Sequence, residues 1–449
     1  MPGCTMAKKK RKGRPRKKAD PRDDPVVQRM NALFPADFIR ETAKETGAFV
    51  RERKIDPVTM FWVLVLGFGV TLERSLAALR RRYETEAAME LSSSSWYDRF
   101  TPEFVEFLHQ CVLHGIEVQA QQPGRILKEK LADFKDLVIQ DSTIVRLHES
   151  LAKEWPAARS RKVAAGVKVN VVVSAVADGL HTVRLLAERT SEMKALRLGP
   201  WVKDRILLLD LGYFKYGVFD RVQQNGGYFV TRLKRNVNPL IVDVNRRWRG
   251  NAVPLVGERL QDVLPRLKRQ VLDLVVEVEF KRRRYKGKRS QVKERFRLVG
   301  VYNEEERKYH LYLTNIGKER LDAEDVALLY RARWEVELLF KELKSRYSLD
   351  IIPSMKPEVV EAFIWIGILT LLCSRRLFIM VRSANPKKAK RFTHMRWANS
   401  FAEHAQRLLG AILDSNDLEY SIWTLMEIYE SQAIDPNVKR ERLMEDWLA

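Results

Sequence analysis

Residues 206–214 read ILLLDLGYF, four consecutive apolar residues followed by an aspartate. A short, continuous apolar run of this kind is typical of a strand buried on both faces of a sheet. Residues 137–141, LVIQD, form a second run that ends on an aspartate. If the two strands lie side by side, Asp141 and Asp210 meet at one edge of the sheet. The two stretches therefore predict a mixed α/β fold that brings two carboxylates together.

Two neighbouring carboxylates need a cation, because like charges in proximity disfavour each other's ionised form. A divalent metal with oxygen ligands resolves that conflict. Either aspartate taken alone is weak evidence, since an aspartate often begins a loop.

A row of polar residues follows in the segment 330–344, YRARWEVELLFKELK. Tyr330, Arg333, Glu337 and Lys344 are spaced by three, four and seven positions, which gathers them into an arc of roughly 60° on a helix. The other side carries an apolar stripe that can dock on a core. An amphipathic helix with ordinary surface ion pairs would explain the same pattern.

Taken together, these motifs resemble the DDE transposases of the insertion-sequence-four family. That family carries Tyr, Arg, Glu and Lys with two, three and six residues between them, which is the spacing of Tyr330, Arg333, Glu337 and Lys344. The resemblance extends to Asp-Leu-Gly-Tyr-Phe at 210–214 and to Gln-Asp-Ser-Thr at 140–143. It spans about residues 137–347.

The resemblance implies an RNase-H-like catalytic core with Asp141 on the first strand, Asp210 on the fourth and Glu337 on a later helix. It implies that these carboxylates are catalytic and hold two Mg²⁺ or Mn²⁺ ions for in-line phosphodiester transfer. Water would first cut a transposon end, and the freed 3′-hydroxyl would then attack target DNA. Tyr330, Arg333 and Lys344 would bind phosphates. The partners would be double-stranded DNA, at transposon ends and target, and a second subunit in a synaptic homodimer.

The chain divides into six predicted parts. These are a disordered basic arm (1–24), an α-helical DNA-binding domain (25–132), the first part of the RNase-H-like core (133–234), a strand-rich basic insertion (235–315), the second part of the core (316–375) and a helical basic region (376–449). Glu337 follows Asp210 by 127 positions, too many for a simple connection.

The basic arm contains Gly13-Arg14-Pro15-Arg16, which resembles an AT-hook. Extended arginines such as Arg14 and Arg16 bind the negative potential of narrow A/T-rich minor grooves. A nonspecific polybasic tail would have the same composition. Residues 8–12 also resemble a nuclear-import signal. In the helical domain, residues 72–100 fit either a helix-turn-helix or plain helical packing.

The insertion is strongly basic, with 20 Lys and Arg against 7 Asp and Glu between Arg232 and Arg297. We predict that it lies along DNA. Similar family members stack a flipped base on an aromatic near the last insertion strand, where this chain has Tyr309; Trp248 or His310 could serve instead. A strand tyrosine facing its own core is the alternative. His148, close after Asp141, is predicted to be structural.

Composition favours a polyanionic partner. The chain carries 81 Lys and Arg against 58 Asp and Glu, a net charge of +23, which points to nucleic acid. The apolar runs 60–70 and 362–373 are too short to span a bilayer and predict buried helices without a membrane partner. Three separated cysteines form no zinc or disulfide pattern. With no secretory signal at the N-terminus, we expect a cytoplasmic, nucleoid-associated protein.

Two other functions remain open from the sequence. One is a domesticated, catalytically silent DNA-binding protein that keeps the fold and the basic surfaces. The other is an RNase-H-fold nuclease that cuts DNA without strand transfer.

Overall fold

The apolar runs form nine strands that join in one mixed sheet. In a computed structural model of the chain, the described residues are 23–50, 55–70, 75–122, 124–158, 164–246, 254–282, 290–347, 349, 352, 354–413, 425–437 and 447–448. The strands are β1 (Asp136–Leu147), β2 (Ala165–Ser174), β3 (Gly179–Ala187), β4 (Arg205–Leu209), β5 (Tyr228–Arg232), β6 (Leu240–Val244), β7 (Val271–Lys281), β8 (Gln291–Asn303) and β9 (Lys308–Thr314).

The sheet order is β3-β2-β1-β4-β5-β9-β8-β7-β6. The first five strands form the RNase-H-like core, in which β2 is antiparallel to β1 and β3 while β4 and β5 run parallel to β1. This arrangement confirms the predicted fold class. Its central strands are buried, as the continuous apolar runs predict, and every residue of β2 is buried.

The insertion continues the sheet of the core. Strand β9 pairs antiparallel with β5, and β8, β7 and β6 follow outward by antiparallel pairing. The inner faces of these strands share one apolar cluster with β4 and with the helix at 216–224. The strand-rich insertion is therefore packed directly against the five-stranded core.

Helices surround this sheet, and most of the apolar core lies beneath them. They are α1 (Pro25–Leu33), α2 (Ala36–Glu45), α3 (Pro57–Val63), α4 (Leu76–Glu86), α5 (Ser93–Tyr97), α6 (Pro102–Gln121), α7 (Glu192–Ala195), α8 (Tyr216–Gln224), α9 (Leu260–Val263), α10 (Ala323–Arg331), α11 (Trp334–Arg346), α12 (Pro357–Ala384), α13 (His394–Leu413) and α14 (Leu425–Gln432). Helices α1 to α6 form the predicted α-helical N-terminal part.

The possible helix-turn-helix corresponds to α4 and α5. The second helix has only five residues, Ser93–Tyr97, and its central Trp96 is fully buried. Ser92 caps it, as the serine-rich start predicts. A helix of this length with a buried centre favours plain helical packing.

Helix α12 is longer than its sequence run indicates. The apolar segment 362–373 lies inside a 28-residue helix, Pro357–Ala384, which is long enough to cross a bilayer. Length therefore does not exclude a membrane span, contrary to our expectation. Burial is the better evidence, because 94% of its most apolar 18-residue window is covered by the rest of the protein. It is the central helix of the core.

The basic C-terminal region is only partly an open surface. Arg375, Arg376 and Arg382 are buried, whereas Lys387 and Lys388 are exposed. The reason is that buried acceptors compensate the arginines: Arg375 forms an ion pair with the fully buried Glu342 (Nη2–Oε2 2.5 Å).

A second buried carboxylate, Asp178 in the turn between β2 and β3, completes this region. Its oxygens lie 3.1 Å from Arg382 Nη1, 3.5 Å from Arg125 Nη2 and 3.8 Å from Arg375 Nη1. His394 Nε2 approaches to 3.2 Å. We call these five residues the Asp178 cluster; it ties the sheet to α12 and α13.

Candidate active site

Parallel pairing brings the two predicted aspartates to one edge of the sheet. The β1–β4 register ends at Gln140 opposite Leu209, so Asp141 and Asp210 are the next residues on adjacent strands. One detail differs from the sequence prediction. Asp141 does not end its strand, because β1 continues to Leu147 through its antiparallel pairing with β2. Asp141 marks the end of the parallel ladder only.

The predicted single helix from Tyr330 to Lys344 is wrong. Helix α10 ends at Arg331 and α11 begins at Trp334. The backbone stays right-handed through Ala332 and Arg333, but its hydrogen bonds tighten to the i−3 pattern, as in Arg333 N–H to Tyr330 C=O (3.1 Å). This short turn places Arg333 at the beginning of α11, pointing at the sheet edge.

The apolar side of this segment packs as predicted. Ala332, Val336, Leu339 and Leu343 are all buried. Their burial fixes the rotation of α11 against the core, so Glu337 faces the aspartates.

Arg333 lies between the three carboxylates. Its Nη2 is 2.6 Å from Glu337 Oε1, its Nη1 is 3.3 Å from Asp141 Oδ2 and its Nε is 4.0 Å from Asp210 Oδ1. The three acids come from three separate elements, yet one planar guanidinium reaches all of them. The structure therefore brings four of the predicted site residues into one cluster, which we call the Arg333 cluster.

Negative charge exceeds positive charge in this cluster. Burial raises the pKa of Asp141 to about 6, with Asp210 and Glu192 adding to the shift, although the Ser142 N–H and Arg333 act in the opposite direction. One arginine thus compensates the carboxylates incompletely. A site of this kind attracts a further cation.

Tyr330 contributes a buried hydroxyl beside the carboxylates. Its side chain is 7% exposed, and its hydroxyl has no hydrogen-bond partner among the described residues. Burial, with Asp210 nearby, raises its pKa to about 12, so it is a proton donor at neutral pH. A buried donor without an acceptor indicates a ligand oxygen as its partner. Lys344 lies two helical turns beyond Glu337, roughly 10 Å along the axis by helical rise.

Polar side chains beneath the edge hold the Asp141 backbone. Asn170 Nδ2 donates to the Asp141 carbonyl (3.4 Å) and to the Tyr213 hydroxyl (3.1 Å). Gln140 Nε2 donates to Asn170 Oδ1 (2.9 Å). All three supporting side chains are buried. The tyrosine of the Asp-Leu-Gly-Tyr motif therefore links β1 and β2 to the turn after β4.

Sequence reasoning missed one acidic residue, Glu192. It begins the short helix α7, and its Oε1 accepts a hydrogen bond from Ser142 Oγ (3.1 Å). No apolar run or family motif marks it, because it reaches the site only through the folding of the β3–β4 connection. A single glutamate in a polar segment gives no signal of its own.

A groove of about 770 Å³ begins beside Asp210, at Leu211. Five of its lining residues are basic: Arg232, Lys234, Arg235, Arg307 and Lys308. Tyr302, Tyr309 and His310 line it as well. The groove thus combines cationic and aromatic groups next to the carboxylates.

Tyr309 fits part of each prediction made for it, stacking on a base and packing against its own core. Its ring lies in an edge contact with Tyr302 (centroids 5.1 Å apart), and its hydroxyl donates to the Arg269 carbonyl. It is half-buried, so one side remains open to the groove. Arg14, Arg16 and Trp248 lie outside the described residues. His148 accepts from the Ser150 N–H (3.2 Å) and caps a turn, a structural role.

Whether the Arg333 cluster fits a divalent cation depends on its donors and its charge. The donors are carboxylate oxygens, which Mg²⁺ and Mn²⁺ prefer, and they converge on one cationic group. In the described part of the chain, no three His, Cys, Asp or Glu side chains stand at mutual metal-binding distances. The Arg333 guanidinium separates the three acids, so metal binding requires it to withdraw. Donor type and excess charge fit the ions.

Comparison with known proteins gives concordant matches. Residues 132–373 match the family model described as Transposase DDE domain. The transposase of insertion sequence element IS231F from Bacillus thuringiensis subsp. israelensis is 21% identical over 90% of this chain and 91% of its own length. That of IS1151 from Clostridium perfringens is 19% identical over 78% of this chain and 80% of its own length.

Among solved structures, the chain is similar to the piggyBac transposase in a synaptic complex with hairpin DNA. The TM-score is 0.43 and the identity 12%, over 96% of this chain and 88% of that one.

Proposed function

Because the chain belongs to the family of transposases with a DDE domain, we propose that it cuts the ends of an insertion sequence and joins the freed 3′-hydroxyls to target DNA. The observation that carries this proposal is the convergence of Asp141, Asp210 and Glu337, from three elements, on one guanidinium. Such convergence is rare for surface acids, which spread apart to avoid repulsion.

Asp141, Asp210 and Glu337 would together hold two Mg²⁺ or Mn²⁺ ions. When bound, such ions activate the attacking hydroxyl and stabilise charge on the leaving oxygen. The protein supplies a rigid frame for them, because β1 and β4 are buried core strands and α11 is fixed by its apolar face.

Arg333, Tyr330 and Lys344 would bind the DNA phosphates next to the scissile bond. Arg333 can exchange its carboxylate partners for a phosphate, which its planar fork matches with two parallel hydrogen bonds. The Tyr330 hydroxyl, buried and without an acceptor, would donate to a phosphate oxygen. Phosphate binding by Arg333 would thereby free the carboxylates for the metal ions.

The basic groove that starts at Leu211 would receive DNA leaving the site. Its five basic side chains can neutralise phosphates, and its lining includes Leu211, the residue after Asp210. The exposed faces of Tyr309 and His310 would stack on an unpaired base, if cleavage proceeds through a flipped nucleotide.

Three further expectations belong to this proposal. The protein would act as a synaptic homodimer, because two transposon ends must be joined in concert. It would be found in the cytoplasm, associated with the nucleoid. The basic arm, with Arg14 and Arg16, would add sequence-tolerant minor-groove affinity.

A strand-transfer assay separates the proposed function from its two alternatives. The substrates are the element's terminal repeats, either intact or pre-cut to expose the 3′-hydroxyl, together with a supercoiled target. We expect Mg²⁺-dependent cutting of the intact ends and joining of the pre-cut ends. Cutting without joining indicates a nuclease, and binding without either reaction indicates a silent DNA-binding protein.

A further inference from the structure

Glu192 lies between the two backbone segments that carry the aspartates. On one side its Oε1 accepts the hydrogen bond from Ser142, the residue after Asp141 (3.1 Å). On the other side its Oε2 lies against Gly212, two residues after Asp210. One carboxylate thus contacts the continuations of both strand ends.

The carboxylate of Glu192 occupies the space that a side chain at position 212 would need. A Cβ added to Gly212 would lie 2.2 Å from Glu192 Oε2 and 3.2 Å from its Cδ, well inside van der Waals contact. Among the described residues, no other heavy atom outside the two chain neighbours comes within 4 Å of that Cβ. The backbone of Gly212 is not left-handed, so a methyl group there adds no backbone strain and acts by displacing the Glu192 carboxylate.

We propose that Glu192 is a positioning residue that holds strand β1 after Asp141 and the turn after Asp210 at a fixed separation. The inference rests on the proposed function, because the distance it sets is the one between two catalytic carboxylates. Glu192 acts through the Ser142 hydroxyl and through packing on Gly212, without touching substrate. It also accounts for the glycine of the Asp-Leu-Gly-Tyr motif, while Tyr213 ties the same turn to Asn170 and Gln140 from below.

The size of the effect follows from how sharply phosphoryl transfer depends on position. A displacement of about 1 Å in a catalytic group can cost roughly 100-fold in rate. Without the Glu192 carboxylate, the turn at 211–213 keeps its attachment through Tyr213 but loses its link to Ser142. We therefore expect a loss of turnover with unchanged DNA affinity.

The test is a double-variant cycle on the full chain with Glu192→Ala and Gly212→Ala. Each single variant should lower the single-turnover cleavage rate by about 10- to 100-fold, with the DNA dissociation constant unchanged. Gly212→Ala should add no further loss in the Glu192→Ala background, because the new methyl group then occupies the space that the carboxylate has left. Glu192→Gln keeps the acceptor for Ser142 and should restore most of the rate.

Two controls match these variants. Glu149→Ala removes an exposed carboxylate near the end of β1. Gly217→Ala adds a Cβ that would lie 3.9 Å from a ring carbon of Phe280, an ordinary contact. Both should cleave at the wild-type rate. The positioning role would be overturned if the rate losses of the two single variants multiplied in the double variant. It would also be overturned if Glu192→Gln cleaved as slowly as Glu192→Ala, a result that would place the charge itself among the reacting groups.

A thermal-unfolding version of the cycle needs no activity and separates this inference from the proposed function. Gly212→Ala and Glu192→Ala should each lower the melting temperature slightly, because either change separates the Glu192 carboxylate from Ser142. The Gly212→Ala change should lower it no further in the Glu192→Ala background. If the wild type proves inert on DNA but this coupling is present, the proposed function fails while the contact stands. If the coupling is absent, the inference fails.

Discussion

Midway along β1, three carboxylates surround the guanidinium of Arg333; beyond the start of β1, guanidinium groups and an imidazole surround the carboxylate of Asp178. The acids of the Arg333 cluster have side chains 19% to 41% exposed, whereas Asp178 is 7% exposed. Helix α11 contributes Glu337 to the Arg333 cluster and Glu342 to the charges around Asp178. The two clusters are opposite in sign and in exposure.

The difference lies in where the compensating charge comes from. Burial alone would raise the pKa of Asp178, but Arg125, His394 and Arg382 hold it well below its usual value. In the Arg333 cluster, burial raises the pKa of Asp141 to about 6 despite the arginine. The charge of Asp178 is therefore compensated within the chain, whereas the Arg333 cluster keeps an excess of negative charge.

The largest expected effect is on catalysis at the Arg333 cluster. Asp141→Asn keeps the shape of the side chain and removes a ligand, and loss of several kcal/mol of charge stabilisation corresponds to about 10³-fold or more in cleavage rate. The free energy of unfolding should not fall, because burial disfavours the negative charge that the substitution removes. Cleavage kinetics and urea unfolding in EDTA measure the two. Cleavage by the Asp141→Asn protein at the wild-type rate would contradict the contrast drawn between the two clusters.

The same change at the Asp178 cluster should have the reverse outcome. Asp178 has a left-handed backbone (φ 52°), which asparagine tolerates, so Asp178→Asn tests the charge without adding strain. Leaving several buried cations uncompensated should cost roughly 3–5 kcal/mol of unfolding free energy. The matched control is Asp133→Asn, an exposed site before β1. Equal unfolding midpoints for the two variants would contradict a structural role.

The two clusters should also respond to pH with opposite signs. The folded-state pKa of Asp141 lies above its unfolded value of 3.8, at about 6, so its contribution to stability is lost as pH rises through that window. Burial lowers the pKa of His394 from 6.5 to about 3, so its contribution is lost as pH falls from about 6.5. Unfolding in EDTA from pH 4 to pH 7 checks both signs.

Relative to wild type, Asp141→Asn should gain stability as pH rises from about 4 to 6, and His394→Gln should gain stability as pH falls below 6.5. Parallel curves for both variants and the wild type would contradict the assigned protonation states.

The smallest expected effect concerns the Tyr330 hydroxyl. Tyr330→Phe removes a buried donor that has no acceptor among the described residues, so the folded protein should be unchanged or slightly more stable. If the hydroxyl binds phosphate, the cleavage rate on DNA falls by about 2- to 12-fold, the equivalent of one ordinary hydrogen bond. A clear loss of stability would instead show that the hydroxyl has a partner in the fold.

The sequence was informative where the interactions are local. Continuous apolar runs identified β1 and β4 and therefore Asp141 and Asp210, and helical spacing placed Glu337 opposite the buried stripe of α11. The break between α10 and α11 was missed, because a few tightened hydrogen bonds at Ala332 and Arg333 leave no mark on the periodicity. The fold class followed mainly from the family resemblance.

Contacts between residues far apart in the chain could not be predicted, because the sequence patterns report local interactions. Arg375 and Arg382 look like a DNA surface in the sequence, and only the folded chain brings Asp178 from some 200 residues away to cover them. Glu192 likewise reaches Ser142 across 50 positions. Charge counts alone do not distinguish a buried cation from an exposed one.

The measurement that tests the central claim most directly is DNA-end cleavage and joining by the wild type and Glu337→Gln, in Mg²⁺ and in EDTA. Glu335→Gln, two residues earlier on an exposed face of α11, is the control. We predict that the wild type and the control cut and join only with Mg²⁺, while Glu337→Gln binds the same DNA and does neither. Wild-type rates for Glu337→Gln, or full activity in EDTA, would contradict a carboxylate site that depends on external cations.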